Sequence, residues 1–277
     1  MIGSNTKIEA GLNKIFDTNI ILNGSWNVNE AYPEWFGEKT STSIQLCLDY
    51  FPVVKLGNST YTCSTSVVIS NSAKVLKGEQ NNTVLDFSTC SEEICINVSA
   101  FRAVLQNVVI KTDNFVENQI GVSFTYSTEN GQIENVIVQG FYNGININKT
   151  WYSVLNNIRI RNVSPQGYGM VIGSLAGTSK EEINNISFNN IWIEGGKNSI
   201  VFNNIALGAV VFDTCTFEST QETALKTLSQ VSGAVSFKNC YFEKNYLSTN
   251  RTVESIVLWY KGTNDIQAYF DGGLYRD

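Results

Sequence analysis

The chain has 277 residues, of which 43% are hydrophobic and 16% charged, with a formal net charge of −6. That is enough apolar material for a long core and too little charge for disorder; the 19 Lys and Arg are scattered without a basic block, which argues against a nucleic-acid partner. Histidine does not occur, and the six cysteines (Cys47, Cys63, Cys90, Cys95, Cys215 and Cys240) show no C-x-x-C spacing, so Ser-His-Asp and Cys-His mechanisms are excluded and neither a metal nor a cofactor is expected.

The start, Met1-Ile2-Gly3-Ser4-Asn5, has no basic segment followed by an apolar one, so no signal peptide is read, and no apolar run reaches the roughly 18 residues of a membrane span. Thr6-x-x-Glu9 has the form of a capping box. Ile8, Leu12, Ile15 and Phe16 share one helical face, which predicts a short helix over 7–16. A second helix is predicted over 40–51, with Ile44, Leu48 and Phe51 on one side. Short strand-like runs follow at Val53–Tyr61, Val67–Ile69, Val75–Glu79 and Thr83–Phe87. A helix leading into these strands would cover the open end of their core, where backbone groups would otherwise lack partners.

From residue 105 onward one pattern recurs: apolar, any, Asn, apolar, any, apolar. It reads Leu105-Gln106-Asn107-Val108-Val109-Ile110, then Ile133 to Val138, Leu155 to Ile160 and Phe188 to Ile193. Degenerate copies run from Phe212 to Phe217 and from Phe237 to Phe242, and a partial one starts at Phe270. The third position advances by 28, 22, 33, 24, 25 and 33 residues, within the spacing of about 20–50 that marks solenoids. Ile183 to Phe188 fits too, in tandem; the later register aligns Ile186-x-Phe188 with Val210-x-Phe212 and Val235-x-Phe237. Apolar-x-apolar on either side of the Asn means two short strands with a bend between them, and Asn tolerates the left-handed backbone of a tight bend. Stacked copies would bond amide to amide along the solenoid. A third strand per coil appears at Gly121–Phe124, Gly144–Ile147, Gly169–Ile172, Ser199–Phe202 and Ser255–Leu258. The expected fold class is all-β, a parallel β-helix of three strands per coil, preceded by the two predicted helices.

Trp35-Phe36-Gly37, Ser43-Ile44-Gln45, Val54-Lys55-Leu56-Gly57, Thr60-Tyr61, Leu76-Lys77-Gly78-Glu79 and the later Asn239-Cys240-Tyr241-Phe242-Glu243-Lys244-Asn245 resemble the pectate-lyase-like β-helix superfamily. The similarity covers roughly residues 32–277 and is greatest to bacteriophage tailspikes and capsule depolymerases. The resemblance implies a right-handed helix, a homotrimer, a virion-tail location acting outside the cell, and binding or cleavage of bacterial surface polysaccharide. It divides the chain into an N-terminal segment, 1–31, for attachment or oligomerisation, and a β-helix domain, 32–277. Two departures stand out. Glu38-Lys39-Thr40-Ser41-Thr42 replaces the family's usual Asp-rich segment. The sequence also ends inside a coil at Arg276-Asp277, the expectation for a fragment or minimal spike, or for a coil continued by a partner.

In the strand after the bend, the fifth and seventh repeat positions point outward. They form one row of Val109, Ile137, Arg159, Trp192, Thr216, Tyr241 and Leu274, and another of Lys111, Gln139, Arg161, Glu194, Glu218, Glu243 and Arg276. Glycan hydrolysis needs two carboxylates, about 5–5.5 Å apart for retention and 6.5–9.5 Å for inversion, and adjacent or alternate coils supply these spacings. Glu194, Glu218 and Glu243 are therefore the candidate catalytic residues. Arg159, Arg161, Trp192 and Tyr241 are the candidate sugar-binding residues, aromatics for ring faces and arginines for acidic groups. Other readings stay open: a lyase with a Tyr, Lys or Arg base, a free bacterial hydrolase, or a non-catalytic adhesin. In the last, the Glu row is a solvated edge, and Trp192 and Tyr241 join Val109 and Ile137 in a trimer interface. Asp213 and Asp271, on the neighbouring face, are weaker carboxylate candidates. Cys215 and Cys240 share one inward position and are read as buried thiols; Cys90 and Cys95 either close a small loop or stay reduced.

Overall fold

Each coil turns at the residue that the repeat sets third. Asn107, Asn135, Asn157, Asn190 and Asn239 have φ between +51° and +59°, Thr214 has +55° and Gly272 +67°. This left-handed region costs an ordinary L-residue roughly 1–2 kcal/mol, and Asn enters it readily because its short amide bonds locally. The amides then bond between coils. Asn135 Nδ2 donates to Asn107 Oδ1 at 3.0 Å, Asn157 to Asn135 at 2.7 Å, and Asn190 to Asn157 at 3.0 Å. The tandem match is a bend as well: Asn185 has φ +56° within the strand Glu181–Gly195. The later register is nonetheless the one in line with its neighbours, since Phe188 pairs with Leu155 and with Phe212.

The computed structural model describes residues 1–125, 128–174, 180–243, 257–258 and 265–276. It is an all-β parallel solenoid of about nine turns with a single short α-helix among the described residues. Segments before the bend (first face) and after it (second face) lie in one sheet whose main path runs from Val53–Lys55 to Asp265–Asp271. The third strands form an eight-stranded sheet from Val67–Ile69 to Val257–Leu258, the third face. Of the predicted strand at Ser255–Leu258, residues 255 and 256 lie outside the described residues, as do Lys244 and Asn245 of the later motif.

Stacking puts like on like in the core. Phe188, Phe212, Phe237 and Phe270 form a column with successive centroid distances of 4.2, 5.0 and 5.1 Å and ring planes within 13° of parallel. Each such aromatic pair adds about 0.5–1.5 kcal/mol beyond the burial of its area. On the third face Gly121 and Gly144 stack because nothing larger fits: an added Cβ would lie 2.7 Å from Val138 and 2.5 Å from Ile160 respectively. All six cysteines are free and buried, including Cys90 and Cys95. The Cys215 and Cys240 thiols donate to the carbonyls of Asp213 and Lys238 at 3.3 and 3.4 Å. Burial pushes the Cys63, Cys95 and Cys215 thiols up, so they stay protonated.

The N-terminal helix expected over 7–16 does not form. Ile2–Lys7 is a strand paired in parallel with Asn23–Asn27, and residues 8–16 are turn and irregular backbone. Ten residues make too short a helix to stand without packing. Gly11, at φ +55°, sits in its middle, and the capping-box Thr6 is taken by pairing with Trp26. Of the predicted apolar face Phe16 is buried, while Leu12 and Ile15 are exposed.

The second helix forms at Ser41–Tyr50, N-capped by Thr40 and burying Ile44, Cys47 and Leu48. Gln45 reaches the first strand of the third face, accepting from Val68 N at 2.8 Å and donating to Val68 O at 3.1 Å. Its side chain thus makes both bonds that a preceding coil's backbone would make. Upstream of the helix, Glu30 bridges Lys77 at 2.5 Å and Lys55 at 3.7 Å.

Two predictions follow from these contacts. Thr214 is a β-branched residue in the left-handed region, so Thr214→Asn should raise stability by about 1 kcal/mol, read as a higher thermal midpoint. Lys77, and secondarily Lys55, hold the Glu30 carboxyl below the usual glutamate range. A depressed folded value means the contribution is present above the unfolded value and is lost as pH falls through the folded one. Glu30 is one-third exposed, so the effect should stay under about 1 kcal/mol. Denaturant midpoints below about pH 4.5 should fall less steeply in Glu30→Gln than in the wild type.

Candidate functional site

Strand register builds the two outward rows. Val109 pairs with Ile137, Ile137 with Arg159, Arg159 with Trp192, Trp192 with Thr216, Thr216 with Tyr241, and Tyr241 with Leu274. In the second row Lys111 pairs with Gln139 and Gln139 with Arg161; then Glu194 pairs with Glu218, Glu218 with Glu243, and Glu243 with Arg276. The link between Arg161 and Glu194 is broken by a register shift between Ile160 and Val163.

Because coils repeat at about 4.8 Å, the three glutamates stand on successive rungs, and each has a partner that fixes it. Glu194 takes the Arg159 guanidinium at 3.5 Å. Glu218 accepts from Trp192 Nε1 at 3.0 Å, and Glu243 accepts from the Tyr241 hydroxyl at 2.7 Å. Arg159 also lies over the Trp192 ring, 3.8 Å from its centroid. At a site with Trp192 37% exposed, such a cation–π contact contributes about 0.5–1 kcal/mol. Glu194, Arg159, Trp192 and Glu218 therefore form one continuous chain of contacts. Three carboxylates in line repel one another, and these donors offset the repulsion while aiming the oxygens. Arg161 does not join them: its Nε donates to Gln139 Oε1 at 2.9 Å, one coil back.

Beside Trp192 and Arg159 the surface is concave. A groove of about 380 Å³ runs along the asparagine ladder past Asn157 and Asn190, over Ile137, to Gln80 and Asn81. Val109, expected in an exposed apolar strip with Ile137, is buried within its own chain, where its strand also pairs with Val84–Asp86. Asp213 and Asp271 sit two coils apart with Lys238 in register between them.

A larger concavity, about 690 Å³, lies on the third face and was not foreseen. Asn97, Ser123 and Asn146 stand in register along it. The Asn97 and Asn148 side-chain oxygens are buried there with no donor among the described residues. The signal was a polar residue in the middle slot of the third strand's apolar-x-apolar runs, such as Ile96-Asn97-Val98 and Ile145-Asn146-Ile147.

No protein-family model matches the sequence, and no curated protein does. Solved structures share the fold. The enzymatically active domain of tailspike protein 2 from bacteriophage CBA120 matches with a TM-score of 0.68 at 13% identity, over 90% of this chain and 43% of that one. Full-length tailspike protein 2 of an Escherichia coli bacteriophage matches with a TM-score of 0.58 at 13% identity, over 90% of this chain and 38% of that one. An endo-xylogalacturonan hydrolase from Aspergillus tubingensis matches with a TM-score of 0.54 at 8% identity, over 85% and 89%. The chain spans less than half the length of the two tailspike chains. What is shared at these identities is the parallel β-solenoid.

The indole–carboxylate bond can be measured directly. In a double-mutant cycle, Trp192→Phe and Glu218→Ala should be non-additive in unfolding free energy by about 1 kcal/mol. Additive effects would mean that the bond is not formed in solution.

Proposed function

We propose that the protein is a bacteriophage tailspike or receptor-binding protein that binds a bacterial surface polysaccharide and hydrolyses it on the second face. The observation that carries this reading is the set of three glutamates on successive coils, each aimed by a donor, beside an exposed tryptophan. The fold it shares with a phage tailspike and with a polysaccharide hydrolase supports it. Within this proposal the solenoid is right-handed and assembles as a homotrimer, residues 1–31 serve attachment to the virion tail, and the Ser41–Tyr50 helix closes the core's first coil.

Glu218 is the common member of both adjacent pairs, so it is assigned the general acid. Glu243, one coil on, is the nucleophile, the spacing that gives retention. Glu194, held by Arg159, keeps the cation in place over Trp192, and Tyr241 orients Glu243. Trp192 offers the sugar its free ring face and its edge.

A second reading has its own observation. The unpaired Asn97 and Asn148 oxygens in the third-face concavity suit sugar hydroxyl donors, which favours a non-catalytic adhesin that binds there.

Incubation with purified capsular and O-antigen polysaccharides separates the two. The hydrolase reading expects new reducing ends, with turnover reduced by about 10²-fold or more in Glu218→Gln and in Glu243→Gln. Binding without cleavage, lost on Asn146→Ala but kept in both Gln variants, would establish the adhesin instead.

A further inference from the structure

We infer that the groove along the asparagine ladder is a subsite for neutral, hydroxyl-rich sugar units on one side of the bond to be cut. The inference rests on the hydrolase reading of Glu218 and Glu243.

The ladder supplies the first reason. A side-chain amide has two N–H donors and two acceptor lone pairs. Asn157 spends one donor on Asn135 and one lone pair on Asn190. Both Asn157 and Asn190 are exposed in the groove wall, so Asn157 presents one spare donor and one spare acceptor to it. A hydroxyl group needs that combination, because it both donates and accepts. Asn135 spends its amide in the same way, so the spare pair recurs one coil, about 4.8 Å, away. A wall that repeats along its length fits a polymer of similar units better than a single compact molecule.

The ends and the charge supply the second. Gln80 and Asn81, on the exposed turn between Val75–Lys77 and Val84–Asp86, line one end of the groove, and Arg159 and Trp192 line the other. Apart from Arg159 every lining residue is uncharged. The Arg159 charge is already engaged by Glu194 and the Trp192 ring. A polyanion would find few partners there, whereas hydroxyls would find amides throughout. Beyond Trp192 comes Glu218, bonded to the same indole. A chain lying in the groove thus leads across Trp192 to the carboxylates.

Asn81→Trp would fill the far end of the groove from an exposed position, with Asn81→Ala as a milder companion and thermal midpoints to check that both fold. Titration calorimetry would first use purified O-antigen and capsular polysaccharides, then graded oligosaccharides of the one that binds. Wild-type affinity should climb with each added sugar unit until the groove is filled, then level off. In Asn81→Trp the climb should vanish, with affinity for long oligosaccharides down roughly tenfold and that for the shortest fragment unchanged. Asn81→Ala should show a smaller loss in the same direction. Identical length dependence in wild type and both variants would overturn the subsite and leave the carboxylate assignment standing. Failure of the wild type to bind any polysaccharide tested would overturn both.

Discussion

Backbone hydrogen bonding between coils governs everything else in this molecule. Each coil can satisfy its N–H and C=O groups only by lying in register on the next, so a residue at a given place in one coil sits about 4.8 Å from its counterpart. The sequence must therefore tolerate stacking of like on like at every position. Asparagines meet this demand at the bend, where they tolerate left-handed backbone and satisfy one another from Asn107 to Asn190. Phenylalanines meet it in the core from Phe188 to Phe237, with the exposed Phe270 stacked on the end. Glycines meet it where the third face presses on Val138 and Ile160.

The same rule makes the second face unusual. Stacked glutamates are the arrangement that the rule penalises, since like charges directly opposite destabilise a sheet. The chain surrounds Glu194, Glu218 and Glu243 with Arg159, Trp192 and Tyr241 instead of dispersing them. Elsewhere it alternates sign, as with Asp213, Lys238 and Asp271. The row thus retains three carboxylates on successive coils, with a donor for each.

At the start of the solenoid Ala31 bridges Val54 and Thr40 bridges Thr62 in parallel, while on the third face the Gln45 side chain bonds both the N–H and the C=O of Val68. The helical spacing over 7–16 misled because periodicity reports only which side chains could share a face. Whether a helix forms depends on what packs against that face; there, Phe16 is buried and Ile8 packs partly against the core, while Leu12 and Ile15 stay exposed.

The sequence alone determined the features with a period. Bend positions, the inward and outward rows, the Asn ladder and the adjacency of Cys215 and Cys240 all follow from a repeat of fixed geometry, and the pairings match them except where the second outward row breaks between Arg161 and Glu194. Tertiary structure decided what periodicity cannot carry. A register shift after Ile160 turned Arg161 back to Gln139 while Arg159 went to Trp192 and Glu194. Burial of Val109 shortened the apolar strip, and the concavity on the third face emerged around Asn97 and Asn148. The physical reason is that a row is a local property of the strand, whereas a site is made by side chains that reach across rungs. A single extra residue, or one segment lying over another, changes which of them meet.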